Sequence, residues 1–137
     1  MDIKTVGLAC DHAGYEIKEF IKQYLEEKGI SYKDYGTNST SSCDYPDHAH
    51  ALANAIERGD VYPGIGVCGS GEGMSMTLNK HQGIRAHLTR LHNDANVLVL
   101  PGRFVDKETT RKILDEFFST DFEGGRHARR IAKIRIQ

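Results

Sequence analysis

A cysteine stands where a short apolar run meets a glycine-rich turn. Cys68 ends the run GIGVC, residues 64–68, and the stretch GSGEG, residues 69–73, follows it directly. Glycines let the backbone turn tightly beside a ligand, and the free N–H groups at the start of a following helix attract anions. That positive end would favour a thiolate and make Cys68 more reactive than an ordinary core cysteine. The alternative is that Cys68 is a small buried residue and the glycines only form a turn.

Well-known phosphate-binding motifs do not fit this turn. A P-loop requires a lysine after its glycines, and none follows here. A dinucleotide fingerprint requires a glycine at position 74, and a cysteine-dependent phosphatase loop requires an arginine there. That position is Met74. The turn therefore predicts neither a nucleotide site nor a phosphatase.

Other polar side chains follow predicted strands. Asp11 and His12 come directly after the apolar run of residues 5–10, and Arg103 follows Pro101 and Gly102 after the last such run. In parallel sheets, sites form at the carboxyl ends of strands, so these side chains are expected at the same edge as Cys68. A helix cap is the alternative role for the Asp11–His12 pair.

Two further groups of residues have the chemistry of a phosphate or sugar site. Arg126 and Arg130 are four residues apart, so they share a helix face and could grip one phosphate. The alternative is a solvated basic tail. The cluster His92-Asn93-Asp94 precedes an apolar run, where polar residues also form simple turns.

The elements that must position these residues alternate between two hydrophobic periods. Short apolar runs predict strands, and the spacing of apolar residues between them predicts helices. Such alternation is typical of an α/β sandwich around a mainly parallel sheet, here with five strands. The predicted strands are residues 5–10, 30–36, 64–68, 84–88 and 96–100, and the predicted helices are residues 15–29, 48–60, 73–81, 106–120 and 124–136.

Composition restricts the class of protein. A chain of 137 residues is long enough for one domain with a single substantial core. The net charge of -1 offers no field that would recruit nucleic acid or an anionic membrane. The apolar runs are too short to span a bilayer, and the N-terminus lacks the pattern of a signal peptide. Three widely spaced cysteines form neither a disulfide framework nor a metal-ligand pattern, so a reducing cytoplasm is expected.

Six stretches in order resemble ribose-5-phosphate isomerase B and its relatives, the allose- and galactose-6-phosphate isomerases. These stretches are ACDHAGYEIK (9–18), DYPDHA (44–49), CGSGEGMSMTLNK (68–80), GIRA (83–86), HNDANVLVLPGR (92–103) and EGGRHARR (123–130). The resemblance implies a single Rossmann-like domain over residues 1–137, without metal or cofactor, that interconverts aldose and ketose sugar phosphates. It also implies a homodimer, or a dimer of dimers, in which the basic helix near residues 124–136 packs on the partner subunit.

The resemblance also implies a role for each candidate residue. Cys68 would be the base that moves a proton between the first two sugar carbons, and His92 the acid that opens the furanose ring. The turn would stabilise the enediolate through Gly69, Ser70, Gly71, Glu72 and Gly73. Asp11, His12, Asn93, Arg103, Arg126 and Arg130 would hold the substrate, with the arginines on its phosphate. Some members of the family use a glutamate in place of the cysteine, but the corresponding position here is Met74, so the cysteine variant is expected.

Alternative functions follow from the same residues. A protein that only binds a sugar phosphate would need the arginines and the turn, but neither a base nor a ring-opening acid. An isomerase of allose or galactose 6-phosphate is the other alternative. The full set of site residues in one chain favours a self-sufficient pentose-phosphate enzyme.

The connection before the last predicted strand is short. Only TRLHNDA, residues 89–95, joins two strands expected to be parallel neighbours, and such crossovers usually take a dozen or more residues. The resembled family has about nine residues more here. Either the deletion is real or residues are missing from this stretch, and missing residues are the expectation.

Overall fold

The computed structural model describes residues 1–87 and 94–134, and the predicted site residues His92 and Asn93 lie outside this part of the chain. The strands are β1 Val6–Cys10, β2 Tyr32–Asp34, β3 Gly64–Cys68, β4 Ala86–His87 and β5 Val97–Pro101. The α-helices are α1 Tyr15–Glu27, α2 Tyr45–Glu57, α3 Glu72–Leu78, α4 Lys107–Ser119 and α5 Arg126–Ala132. A 3-10 turn, His12–Gly14, links β1 to α1.

The sheet is parallel throughout the described residues. Its order is β2-β1-β3-β5-β4. The prediction of an α/β fold around a parallel sheet is confirmed. The strand predicted over residues 84–88 begins two residues too early, because β4 starts at Ala86, which pairs with Val97 at the edge of the sheet, and residue 88 lies outside the described residues. Four strands of three to five residues therefore make up the body of the sheet, and β4 is a minimal fifth.

Helices cover both faces of this sheet. One core lies between the sheet and the helices α1 and α4, with Ile21 and Leu114 fully buried against Leu8 and Leu98. The second core lies under α2 and α3 and includes Leu52 and Leu78. Because β1, β3 and β5 are buried on both faces, they read in the sequence as continuous apolar runs rather than alternating ones.

Helix α2 begins three residues earlier than predicted. Asp44 is its N-cap residue, and Pro46 lies in its first turn. The composition of residues 37–47 predicts a loop, but proline is well tolerated in the first turn of a helix because its missing N–H has no helical partner there. The early start brings Tyr45 into the helix, close to the glycine-rich turn.

Side chains join the entry of β4 to the entry of β5. The Arg85 side chain donates to the Asp94 carbonyl at 2.8 Å and to its carboxylate at 3.1 Å. The Asn96 side chain accepts from the Arg85 N–H at 2.8 Å and donates to the Gly83 carbonyl at 2.7 Å. Residues 88–93, which follow β4, lie outside the described part of the chain. The expectation that residues are missing here stays a prediction.

Beneath the β1–β2 edge lies a buried ion pair. Lys18, fully buried on α1, donates to both carboxylate oxygens of Asp34, at 2.8 and 2.7 Å, and to the Thr37 carbonyl. Burial alone would raise the pKa of Asp34, but hydrogen bonds from Lys18, Lys22 and the Gly36 N–H lower it overall. The pair holds the end of β2 beside the end of β1.

None of the described helices is long and apolar enough to cross a membrane.

Candidate active site

The carboxyl ends of β1, β3 and β5 meet at one edge of the sheet. The Asp11 N–H donates to the Val67 carbonyl at 3.1 Å, which joins the first two strand ends. The Gly102 N–H donates to the Cys68 carbonyl at 2.7 Å, which joins the second and third. The edge expected from the sequence therefore exists, and Cys68 lies at its centre.

Cys68 is the last residue of β3 and is 3% exposed. It belongs to the apolar cluster under α2 and α3. Burial of this kind suits both a structural cysteine and a base that must be shielded from water, so the neighbouring groups decide between the two.

The turn after Cys68 offers N–H groups to a ligand. Gly71 has a φ of +83°, which directs the chain into α3. The N–H groups of Gly69, Ser70 and Gly71 donate to no acceptor among the described residues. The Ser70 hydroxyl accepts the Glu72 N–H at 3.3 Å and so leaves the earlier donors available. A developing negative charge placed in this turn would meet several oriented donors at once.

Arg103 lies against the same turn. Its N–H donates to the Gly69 carbonyl at 3.0 Å. Its side chain covers Gly69 so closely that a Cβ there would lie 3.2 Å from Nη1 of the guanidinium. The structure therefore brings a positive charge to the turn, as expected from the position of Arg103 after β5.

Asp11 acts as a helix cap, the alternative considered for it. Its Oδ1 accepts the N–H groups of Ala13 at 3.0 Å and Gly14 at 3.1 Å. His12 is held differently, because its Nδ1 accepts the Cys43 N–H at 3.3 Å. With Nδ1 accepting, a neutral His12 carries its proton on Nε2 and is a hydrogen-bond donor.

Two cavities flank the meeting point of the strands. One, of about 410 Å³, lies over the turn and the first residues of α3. The other, of about 420 Å³, lies over the start of α1 and α4. The first is lined by Ser70, Gly71, Glu72, Ser75, Met76, Val99 and Pro101. The second is lined by His12, Ala13, Glu16, Ile17, Thr40, Gly102, Val105, Asp106 and Lys107.

The two terminal arginines are not part of this cluster. Arg126 and Arg130 lie on α5 with exposed side chains. Over residues 94–134 and 1–87, α5 does not pack substantially against β3 or α3. The structure of one chain thus assembles Cys68, the turn, Asp11, His12 and Arg103, and leaves Arg126 and Arg130 facing outward.

The sequence and the fold both match those of known proteins. The sequence profile of the family described as Ribose/Galactose Isomerase matches residues 6–134. The chain belongs to the ribose/galactose isomerase family.

Individual relatives agree along almost their whole length. Ribose-5-phosphate isomerase B of Escherichia coli is 39% identical, over 96% of this chain and 95% of that protein. The crystal structure of a Thermotoga maritima ribose 5-phosphate isomerase has a TM-score of 0.92 and 45% identity, with 98% of each chain covered. The Mycoplasma genitalium ribose-5-phosphate isomerase B, solved with bound ribulose 5-phosphate, has a TM-score of 0.88 and 39% identity and covers 95% of this chain and 93% of its own.

The side chains at positions 72 and 74, just beyond the turn, differ in their exposure to solvent. Met74 is fully buried, and its Cγ would lie 2.8 Å from a Cβ on Gly66, so its side chain fills the core beneath β3. Glu72 is exposed and lines the first cavity. The buried thiol of Cys68 at the strand end is therefore shielded from solvent in a way that the Glu72 carboxylate is not.

One neighbour of the glycine-rich turn was not predicted from the sequence. The Tyr45 ring lies on Gly73, where a Cβ would come within 2.5 Å of its Cζ. Tyr45 is 38% exposed, so it borders the turn without being buried by it. The available signal was an aromatic residue beside Pro46 in the stretch DYPD, whose composition predicts a loop.

No group of three His, Cys, Asp or Glu side chains in the described ranges is arranged to hold a metal ion.

Proposed function

We propose that this chain is an aldose–ketose isomerase that interconverts ribose 5-phosphate and ribulose 5-phosphate through an enediolate. The observation that carries the proposal is the buried Cys68 thiol at a strand end, beside a turn whose N–H groups have no described acceptor and beside the Arg103 guanidinium. The relatives named ribose-5-phosphate isomerase B, one of them solved with ribulose 5-phosphate, support the same reaction.

The chemistry requires one base and a stabilised oxyanion. Once the sugar is open, the Cys68 thiolate removes the proton from C2, and the C2 electron pair forms a double bond to C1 as the carbonyl oxygen becomes negative. A proton then passes from the C2 hydroxyl to the C1 oxygen. As the C2 oxygen forms the carbonyl, the electron pair of the double bond takes the proton back from the thiol at C1 and regenerates the thiolate. The N–H groups of Gly69, Ser70 and Gly71 have no acceptor among the described residues and would bind the negative oxygen. That charge exists only along the reaction, so binding it would favour catalysis over substrate binding.

Ring opening and substrate binding fall to the remaining residues. We assign ring opening to His92, since a closed furanose has no carbonyl, and substrate contacts to Asn93; both residues lie outside the described part of the chain. His12 faces the second cavity, and with its proton on Nε2 it would donate to a substrate oxygen. Asp11 would contribute by fixing the turn that carries His12.

The phosphate is assigned to arginines from a second subunit. Arg126 and Arg130 are exposed and four residues apart on α5, so both guanidinium groups can reach one phosphate. Because α5 does not return over its own strand ends, a two-fold partner could deliver the pair in trans. We therefore propose a homodimer with shared sites. The cytoplasmic location expected from the cysteines stays a prediction.

The decisive experiment replaces one thiol at a time. Cys68→Ala should lower kcat on ribose 5-phosphate by roughly 10²- to 10⁴-fold, the usual contribution of a general base, while substrate still binds. Cys43→Ala is the control for the loss of a thiol, because Cys43 is partly exposed and lies outside β3. Alanine keeps the backbone N–H that holds His12, so turnover should stay near normal. The wild type and both variants should be assayed on ribose 5-phosphate, allose 6-phosphate and galactose 6-phosphate to identify the preferred sugar.

Two results would contradict the proposal. Near-normal turnover by Cys68→Ala would exclude the thiol as base and make Glu72 the next candidate. A wild-type protein that binds these sugar phosphates without converting any of them would show a binding protein instead of an enzyme.

A further inference from the structure

A buried lysine joins α1 to the chain beyond β2. Lys18 is fully buried, and its ammonium group has three acceptors: the two carboxylate oxygens of Asp34, at 2.8 and 2.7 Å, and the Thr37 carbonyl. An ammonium group has three N–H donors, so these bonds use all of them. Lys18 therefore has no donor left for a substrate, and any effect it has on the site must pass through the groups that it holds.

Stability alone does not explain a lysine at this position. Replacing a buried ion pair by well-packed apolar side chains is often neutral or stabilising. Lys22, one turn further along α1, also bonds to Asp34, at 2.7 Å, and the Gly36 N–H donates to the same carboxylate at 2.8 Å. The carboxylate thus keeps partners without Lys18. Among the described bonds of the two lysines, the one to the Thr37 carbonyl belongs to Lys18.

Thr37 begins a loop, residues 37–43, that ends beside His12. At its start, the Thr37 N–H donates to the Cys10 carbonyl at 2.8 Å, next to the residues of the site. At its end, the Cys43 N–H donates to Nδ1 of His12 at 3.3 Å. The middle of the loop is exposed to solvent. The path of the loop is therefore set at its two ends, by the bonds of Thr37 and by the start of α2.

We propose that Lys18 is a positioning residue for His12: it fixes the loop so that the Cys43 N–H lies on Nδ1 and the ring carries its proton on Nε2. The inference rests on the proposed isomerase function, in which His12 donates to a substrate oxygen. Thr40 of the same loop lines the second cavity together with His12. A shift of the loop would therefore change both the donor and the wall of that cavity.

Lys18→Met tests this role, and Lys22→Met is the matched control. Both variants remove a lysine that bonds to Asp34, but Lys18→Met also removes the bond to Thr37. Methionine is unbranched, apolar and adaptable, so it suits the buried position. NMR of the histidine ring nitrogens, above about pH 8 where an ordinary imidazole is neutral, reports the tautomer without substrate. His12 should carry its proton on Nε2 in the wild type and in Lys22→Met, and should be a mixture of both tautomers in Lys18→Met.

Steady-state kinetics gives a second readout. An interaction made equally in the ground state and the transition state affects KM and leaves kcat unchanged. Lys18→Met should raise KM for ribose 5-phosphate by about 2- to 10-fold, the usual contribution of one hydrogen bond, with kcat near that of the wild type. Lys22→Met should keep both constants near the wild-type values. The Tm of each variant reports that it is folded.

Several outcomes would overturn the role of Lys18. One is a single Nε2 tautomer in folded Lys18→Met, and another is the same mixture of tautomers in Lys22→Met. If Lys18→Met does not fold, Lys18→Gln is the second variant, because its amide can still donate inside the cluster. Failure of both to fold would show that the ammonium group serves the fold itself, which also contradicts the proposal. A wild type that converts no sugar phosphate would count against the proposed function, while the ring spectra would still decide whether Lys18 sets the tautomer of His12.

Discussion

Replacing Gly71 separates the effect of the turn on catalysis from its effect on the stability of the fold. Its φ of +83° is a left-handed conformation that alanine adopts at a cost of about 1–2 kcal/mol. A Cβ at this position would have no neighbour closer than 3.4 Å, at Pro101 N and Val99 Cγ1. Gly71→Ala therefore introduces backbone strain without a steric clash, and the expected loss is about 1–2 kcal/mol in the free energy of unfolding.

In Gly71→Ala, kcat should fall by more than the loss in the free energy of unfolding can explain. The strain is relieved if residues 69–71 rotate, and rotation would turn their N–H groups away from the enediolate oxygen. Losing one oxyanion donor typically lowers kcat by about 10²- to 10³-fold. We expect a loss of that order in Gly71→Ala, with a smaller change in KM because His12 and the arginines still hold the substrate.

Gly29→Ala is the matched control. Gly29 has a φ of +69° and nothing within 4 Å of an added Cβ, and it lies beyond the end of α1. Urea unfolding should show a similar cost of about 1–2 kcal/mol, while steady-state turnover stays at the wild-type level. Wild-type kcat in Gly71→Ala would refute the role of the turn. An equal loss of kcat in Gly29→Ala would show that strain anywhere in the chain lowers activity.

Three further predictions concern assembly, the β4–β5 entry and the other thiols. Mixing inactive Cys68→Ala with inactive Arg130→Ala should recover about a quarter of wild-type activity, because half the exchanged dimers contain one intact site of two; verified exchange without recovery contradicts the shared site. Arg85→Ala removes both bonds to Asp94, which follows the predicted ring-opening residue, and should lower turnover of cyclic ribose 5-phosphate more than that of ribulose 5-phosphate; equal losses in the two directions would argue against this link. Burial raises the pKa of Cys10 to about 11, so little of its thiolate is present below that pH. At pH 8, iodoacetamide should therefore modify the partly exposed Cys43 before Cys10, and mass spectrometry of the two peptides gives the order. Rapid labelling of Cys10 in the folded protein would contradict this prediction.

The architecture was predictable because each element carries its own local signal. The strand predicted over residues 64–68 matches β3 at both ends, and the helix predicted over residues 106–120 contains α4 with one residue extra on each side. Continuous apolar runs indicated strands buried on both faces, and the two rows of helices provide that burial. The meeting of Cys68, Asp11 and Arg103 then followed from the rule that parallel strands end at one edge.

The missed features depend on contacts between distant residues. The entry of β4 is joined to that of β5 by bonds from Arg85 to Asp94 and Asn96, which no local pattern contains. The contact of Tyr45 with Gly73 requires the packing of α2 on α3. The outward position of Arg126 and Arg130 likewise depends on how α5 packs, whereas their spacing was visible in the sequence.

Because of the bonds between Arg85, Asp94 and Asn96, the register of β5 does not depend on the length of the chain before it. Both ends of the connection are fixed by side chains and by pairing between β4 and β5, so Arg103 at the far end of β5 keeps its place whatever number of residues lies between positions 87 and 94. Lengthening a connection from six residues to fifteen changes its closure entropy by only about 0.8 kcal/mol. This point of the fold is therefore suited to insertions, which would leave the edge where the strands end unchanged.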